Sequence, residues 1–115
     1  MNKFVDINDL ADFIEGHLGD RVRLLGVSPS TRRIDFSLYD SFVFSAGIAE
    51  KTYTFGMALQ LPGGFSAIRL LGQKFSINNE PESIARNLDM ADEYCRLRLP
   101  DKFLEAFESR TNASA

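Results

Sequence analysis

The sequence predicts an α+β fold with an N-terminal helix, an antiparallel meander of four to five strands, and two C-terminal helices packed on one sheet face. Apolar residues recur at helical spacing near both ends of the chain, whereas the middle alternates apolar and polar residues. Helical and strand segments are therefore segregated along the chain. This order favours an antiparallel sheet over a parallel one, because parallel strands need a helical crossover between them.

The first element is an amphipathic helix that starts near residue 7. Asp6 or Asn8 can cap its N-terminus, and Gly19 is suited to end it. Its predicted apolar stripe comprises Ile7, Leu10, Ala11, Ile14 and Leu18. Only one face of this helix is therefore expected to be buried.

The middle of the chain is predicted to form strands separated by turns. Strands are predicted at residues 21–27, 33–46, 53–61 and 65–71, with a short fifth at 75–77. In the run 33–46 the even positions are apolar and predict the buried face, but Asp40 interrupts them. A charge in a buried row is costly. Asp40 therefore indicates a bulge or a strand break at residues 39–41, or else a site residue in a pocket between sheet and helices.

The C-terminal part turns helical again. Pro81 suits the first turn of a helix, and Ile84, Leu88, Ala91 and Cys95 then form an apolar stripe. Pro100 interrupts this pattern, and Asp101 can cap a last helix.

The length and the charge of the chain restrict the kinds of protein that it can be. The chain of 115 residues predicts a single globular domain at 1–110, followed by a frayed tail at 111–115. The absence of a signal-like or membrane-spanning segment and the single Cys predict a cytoplasmic protein. The net charge is −3, which argues against direct nucleic-acid binding. The lack of a long apolar run argues against a membrane partner. The charge is uneven, however: −4 in residues 1–20, +4 in 21–79 and −3 in 80–115.

No catalytic, cofactor or metal site is predicted. His17 lies near a helix end beside the apolar stripe, and Cys95 lies on the apolar face of its helix, so both are interpreted as structural. One His and one Cys do not form a common zinc pattern. Asp89, Asp92 and Glu93 could touch a cation weakly, but a solvated acidic face is the preferred interpretation.

Two surfaces remain as candidates for binding a partner. The outer row of the sheet, opposite the apolar row of each strand, predicts an open face of small polar side chains with Tyr39 and Arg69, residue types that are enriched at binding hot spots. The residues predicted in this row are Ser37, Tyr39, Ser41, Thr54, Gly56, Ala58, Gln60, Ala67 and Arg69. The second surface is acidic and lies on the C-terminal helices. Its predicted partner-binding residues are Glu82, Asp89, Asp92, Glu93 and Glu105, with Glu108 beside them.

These features predict a non-catalytic protein that binds one cognate protein with a basic surface. The most concrete version is a cytosolic bacterial immunity protein that neutralises a toxin, such as a nuclease, by occluding its active site. The alternatives are a small acidic secretion chaperone or adaptor, which would dimerise, and a small enzyme or ligand-binding domain with a cavity holding Asp40, His17 and Tyr39. Sequence alone leaves open which surface binds, and whether the protein is a monomer or a homodimer.

Overall fold

The computed structural model describes residues 3–114, with side chains up to residue 109, and has the predicted α+β architecture. The helices are α1 (Ile7–Leu18), α2 (Pro81–Arg98) and α3 (Asp101–Ser114). The strands are β1 (Val22–Ser28), β2 (Arg33–Leu38), β3 (Phe42–Ile48), β4 (Phe55–Gln60), β5 (Ser66–Ala67), β6 (Arg69–Leu70) and β7 (Gln73–Lys74). The predicted frayed tail, residues 111–115, lies outside the part whose side chains are described and stays a prediction.

Helix α1 begins and ends where the sequence predicts. The side chain of Asp6 accepts a hydrogen bond of 2.8 Å from the backbone N–H of Asn8, so Asp6 is the N-cap. Gly19 follows the last turn with a φ of 60°, a conformation that glycine adopts at low cost. All five residues of the predicted stripe are buried.

The strands β1 to β5 form one antiparallel sheet in sequence order, as a meander, and β6 pairs with β7 in a separate hairpin. The predicted single strand at 33–46 is wrong, because a turn at residues 39–41 divides it into β2 and β3. The strand break considered for this position is therefore confirmed. Tyr39 and Asp40 have φ values of 55° and 52°, which reverse the chain.

The register of this hairpin explains why the sequence pattern continues through the turn. Leu38 pairs with Phe42 and Phe36 with Phe44, so each residue lies opposite a residue of the same parity. Paired residues point to the same face of a sheet. The even row therefore stays on the buried face in both strands, and alternation alone cannot reveal the turn.

The predicted strand at 65–71 is also divided. Ser66 and Ala67 pair with β4, but Arg69 and Leu70 leave the sheet and pair with β7 instead. The predicted fifth strand at 75–77 is displaced to β7. Gly72, with a φ of 78°, lies in the tight turn between β6 and β7.

The hydrophobic core lies between the helices and the sheet face that carries the even-numbered residues of β2 and β3 and the odd-numbered residues of β4. The rings of Phe36 and Phe44 stack at 5.6 Å between centroids on neighbouring strands, and both are fully buried. The predicted apolar stripe of α2 is buried opposite them, including Cys95. Leu104 and Phe107 extend the core to α3. The other sheet face is left uncovered by these helices.

A buried asparagine holds the segment before α2 in place. The side-chain amide of Asn79 donates to the backbone carbonyls of Tyr53 at 2.7 Å and Phe4 at 2.9 Å. Its Oδ1 accepts from the backbone N–H of Phe4 at 3.0 Å. Asn79 therefore joins the N-terminal segment to the β3–β4 turn and to the start of α2.

None of the helices within residues 3–114 is both long enough and apolar enough to cross a lipid bilayer.

Candidate functional site

The uncovered face of the sheet is built mainly from small and polar side chains. Alternation places Asp35 and Ser45, which pair across β2 and β3, on this face. Ser45 in turn pairs with Ala58 on β4, and Gly47 pairs with Gly56. The face therefore combines short side chains in its middle with longer polar ones towards β2.

A hydrogen-bonded network organises the polar part of this face. Arg33 donates from Nε to Asp35 Oδ1 at 3.0 Å and from Nη2 to Ser45 Oγ at 3.1 Å. Ser45 Oγ donates to Asp35 Oδ1 at 2.8 Å, and Gln60 Nε2 donates to Ser45 Oγ at 2.7 Å. The four side chains span β2, β3 and β4, so Arg33 is held in a defined position on the open face. The sequence pattern gave no signal for this network.

A cleft of about 450 Å³ lies beside the network on the same face. Gly47, Gly56 and Ala58 line its middle, Arg32 and Arg33 line it at the β2 side, and Ile68 lines it beyond β4. The other lining residues are Thr31, Ser45, Ala46, Ile48, Ala49, Thr54, Phe55, Met57 and Gln60. The cleft is shallow and wide open to solvent, so it is a surface groove and not an enclosed pocket.

The fold requires glycine at one of the two cleft positions, Gly47, but not at the other, Gly56. A Cβ on Gly47 would lie 2.8 Å from the backbone oxygen of Arg32, so the fold itself requires glycine there. A Cβ on Gly56 would meet no heavy atom within 4 Å, and its φ is not in the left-handed region. Glycine weakens a strand. The packing of this chain therefore gives no reason for glycine at position 56.

The cleft lining is positively charged on a protein of net charge −3. Arg32 stacks over the ring of Tyr53 at 5.0 Å and donates to the backbone oxygen of Val5 at 3.3 Å. Arg33 is paired with Asp35, which lowers the local charge without cancelling it. The described residues that line the cleft include no carboxylate side chain.

Large apolar side chains are exposed along the chain between β4 and β6. Phe65 is 71% exposed and Ile68 is 51% exposed, and Leu61 is exposed beside them. Single exposed apolar residues are ordinary, but three in one short segment form a patch that can contact a partner.

Tyr39 does not lie on the open face, which corrects the prediction for this residue. Its side chain is fully buried, because the turn at 39–41 rotates it towards the core, where its ring packs on Phe107 at 5.2 Å. Its hydroxyl donates to Asp92 Oδ1 at 2.5 Å and accepts from Arg96 Nη1 at 3.1 Å. Burial and the Asp92 carboxylate raise the pKa of Tyr39 above its ordinary value.

Two other predicted members of the open face lie elsewhere, and a third is buried. Arg69 is exposed on β6, which belongs to the two-stranded hairpin and not to the main sheet. Ala67 pairs with Leu59 and therefore turns towards the core side. Ser37 keeps its register on the open face but is buried. Asp40 is exposed in the turn, where Arg23 Nε lies 3.5 Å from its carboxylate.

The acidic surface on α2 is smaller than predicted. Asp92 points inwards and accepts from Arg21 Nη1 at 2.9 Å as well as from Tyr39. Asp89 is exposed, and its carboxylate contacts His17 Nε2 at 2.8 Å. The predicted residues Glu82, Glu93 and Glu105 are exposed, but α2 and α3 also carry exposed basic residues. These are Arg86, Arg96, Arg98 and Lys102.

The polar groups proposed for an enzyme are not gathered in one place. His17 contacts Asp89, Tyr39 contacts Asp92, and Asp40 lies in a turn beside Arg23. None of the three lines the open-face cleft. Burial raises the pKa of the Cys95 thiol to about 12, with Asp92 adding to the effect, which disfavours the reactive thiolate. Among the described residues, no group of three or more His, Cys, Asp and Glu side chains is placed to hold a metal ion.

No model of a protein family, no curated protein and no solved structure matches this chain.

Proposed function

We propose that this chain is a non-catalytic protein-binding protein that works by docking onto one cognate protein through the open face of its sheet. The observation that carries the proposal is the cleft of about 450 Å³ on that face, with a glycine at position 56 that the packing does not require. A glycine inside a strand often marks a place where another backbone approaches closely.

The fixed position of Arg33 supports this proposal. Arg33 is preorganised by Asp35 and Ser45, so little conformational entropy is lost when a partner contacts it. The exposed Phe65 and Ile68 add apolar area beside the polar network. Preorganised polar groups next to exposed aromatic and aliphatic side chains are a combination that binding surfaces use.

The concrete form of the proposal is a cytosolic immunity protein that neutralises a toxin by covering a surface the toxin needs. The acidic helices offer a second docking surface for a toxin with a basic active site, through Glu82, Glu93 and Glu105. We favour the sheet face, because Asp92 and Asp89 contact Arg21 and His17 within the chain.

A secretion chaperone or adaptor is the second candidate, because β1 forms one edge of the sheet and could add a strand from a client. The register of β1 against β2 shifts between Leu24 and Gly26, however. Such bulges weaken the pairing of an edge strand with another chain. Light scattering coupled to size exclusion distinguishes the candidates, since this chaperone class is dimeric.

The experiment for the proposed function is affinity capture followed by a toxicity assay. Tagged protein is incubated with lysate of the source organism, washed at moderate salt, and the retained proteins are identified by mass spectrometry. We expect one stoichiometric partner that the Gly56→Thr variant loses and the Gly26→Thr variant keeps. Both glycines lie on strands with open space at the Cβ position, but Gly26 lies outside the cleft.

The partner is then expressed alone and together with this chain. Toxicity that the wild-type chain relieves, and that Gly56→Thr does not relieve, supports the immunity form. A harmless partner contradicts the immunity form and leaves protein binding. The absence of any stoichiometric partner contradicts protein binding itself and directs attention to small ligands of the cleft.

A further inference from the structure

The open-face cleft has a charge and a shape that together restrict what it can bind. Among the described residues that line it are Arg32 and Arg33 but no carboxylate, and the neighbouring Asp35 carboxylate is already bonded to Arg33 and Ser45. A guanidinium has five N–H donors, and the described contacts of Arg33 use only Nε and one N–H of Nη2. The remaining donors can bind a carboxylate from outside without breaking the network that positions Arg33.

The opposite end of the cleft is apolar. Ile68 is half exposed there, and Phe65 lies three residues before it in the same exposed segment. Between the two ends, Gly47, Gly56 and Ala58 line the cleft, and they have no side chain larger than a methyl group that could project from the sheet. A ligand must therefore be thin in the middle, with a negative group at one end and an apolar group at the other.

The distance between the ends gives the size of this ligand. Neighbouring strands lie about 4.8 Å apart, so the path from β2 across β3 and β4 to Ile68, which follows β5, is about 14 Å, which is about four residues of extended chain. A short extended peptide is thin where its own small residue or backbone crosses the glycines.

We propose, building on the protein-binding function above, that the cleft binds an extended acidic segment of the partner, which places a carboxylate against Arg33 and an apolar side chain against Ile68. The backbone of this segment crosses the sheet above Gly47 and Gly56. The partner is thus recognised by a short carboxylate-containing motif and not by a basic surface.

Peptide display tests the proposal without knowledge of the partner. A random linear peptide library on phage is selected against the immobilised wild-type protein and depleted against Gly56→Thr. We expect the recovered peptides to carry Asp or Glu about three or four positions from an apolar residue. Recovery of basic peptides, or of no peptides that distinguish the two proteins, overturns the proposal.

One recovered peptide is then synthesised with a fluorophore and titrated by anisotropy. We expect Gly56→Thr to weaken binding at least tenfold and Gly26→Thr to leave it unchanged. Arg33→Gln should weaken binding about two- to five-fold, as an exposed ion pair does. It should also remove the preference for the acidic peptide over its Gln or Asn analogue. Equal affinity of both peptides for the wild type contradicts the role of Arg33.

The outcomes separate this proposal from the proposed function. If the captured partner is retained by Gly56→Thr but lost when Glu93 and Glu105 are changed to Lys, protein binding stands and the cleft proposal falls. If no partner is captured while acidic peptides bind the cleft, the cleft proposal stands and the cognate-protein function falls. Self-association that Gly56→Thr abolishes would identify a second copy of this chain as the occupant and would overturn the proposed partner.

Discussion

Replacing Tyr39 by Phe should destabilise the protein by about 2 kcal/mol, because it removes a buried hydroxyl that donates to a carboxylate. The ring keeps its packing on Phe107, and Asp92 keeps its contact with Arg21. The lost bond to Asp92 is 2.5 Å long, and hydrogen bonds to charged groups contribute about 1.5–3 kcal/mol. The bond from Arg96 adds less, because that guanidinium is exposed.

Urea denaturation followed by circular dichroism measures this change. With a slope of about 2 kcal/mol per M, typical of small domains, the midpoint should fall by about 1 M while the slope stays constant. Tyr94→Phe is the matched control: Tyr94 packs its ring on Phe42 and Arg98, and the described side-chain hydrogen bonds do not involve its hydroxyl. It should change stability by less than about 0.5 kcal/mol.

The pH dependence gives a second check on the same hydroxyl. Burial and Asp92 raise the pKa of Tyr39 in the folded state above its value of 10.0. Above that pH the unfolded chain loses the Tyr39 proton first, so this contribution to stability is present below pH 10 and declines as pH rises further. The stability difference between wild type and Tyr39→Phe should therefore narrow above pH 10. Equal effects of Tyr39→Phe and Tyr94→Phe, or a difference that widens above pH 10, would refute the reasoning.

Three further changes test other parts of the structure. Asn79→Ala should lower the free energy of unfolding, measured by urea denaturation, by about 2–3 kcal/mol, because two backbone carbonyls and one N–H lose a buried partner. The control Asn78→Ala, at an exposed position, should lower it by less than about 0.5 kcal/mol. Similar losses in both variants would contradict the anchoring role of Asn79. Cys95 should react with a thiol reagent only at the rate of unfolding, and rapid labelling of the native protein would refute its burial. Because the pKa of Cys95 in the folded protein is about 12, the free energy of unfolding of the wild type should fall by about 1 kcal/mol per pH unit above pH 9, relative to that of Cys95→Ala. Gly56→Thr should leave the thermal midpoint unchanged or raise it, because a β-branched residue suits a strand and meets open space; a fall of several degrees would show that Gly56 has a structural role.

The helices are the elements that the sequence predicts best, because they depend on interactions between residues close in the chain. The cap at Asp6, the stop at Gly19 and the stripe of α1 follow from interactions within one or two turns, so the sequence contains them completely. The same holds for α2, whose start at Pro81 depends on the residue itself. The order of elements then restricts the sheet to antiparallel pairing, and this prediction is confirmed.

The turn between β2 and β3 is a feature that the alternation of apolar and polar residues could not predict. The register of this hairpin keeps equal parity on both sides of the turn, so the alternation continues from residue 33 to residue 46. Asp40 was the one residue that signalled the break. Tyr39 gave no signal, since the left-handed turn reversed the direction that its odd position predicts.

The candidate site could not be assembled from the sequence. Arg33, Ser45 and Gln60 are far apart in the chain and form a network only because β2, β3 and β4 pair in one particular register. The same is true of Asp92, which the sequence placed on an acidic surface and which instead binds Tyr39 and Arg21. The sequence by itself determined the fold class, the boundaries of α1 and α2 and the buried rows, because these depend on periodicity and on neighbours close in the chain. Only the tertiary structure decided which polar side chains meet and where the cleft lies, because those contacts depend on strand register and on turns that bring distant residues together.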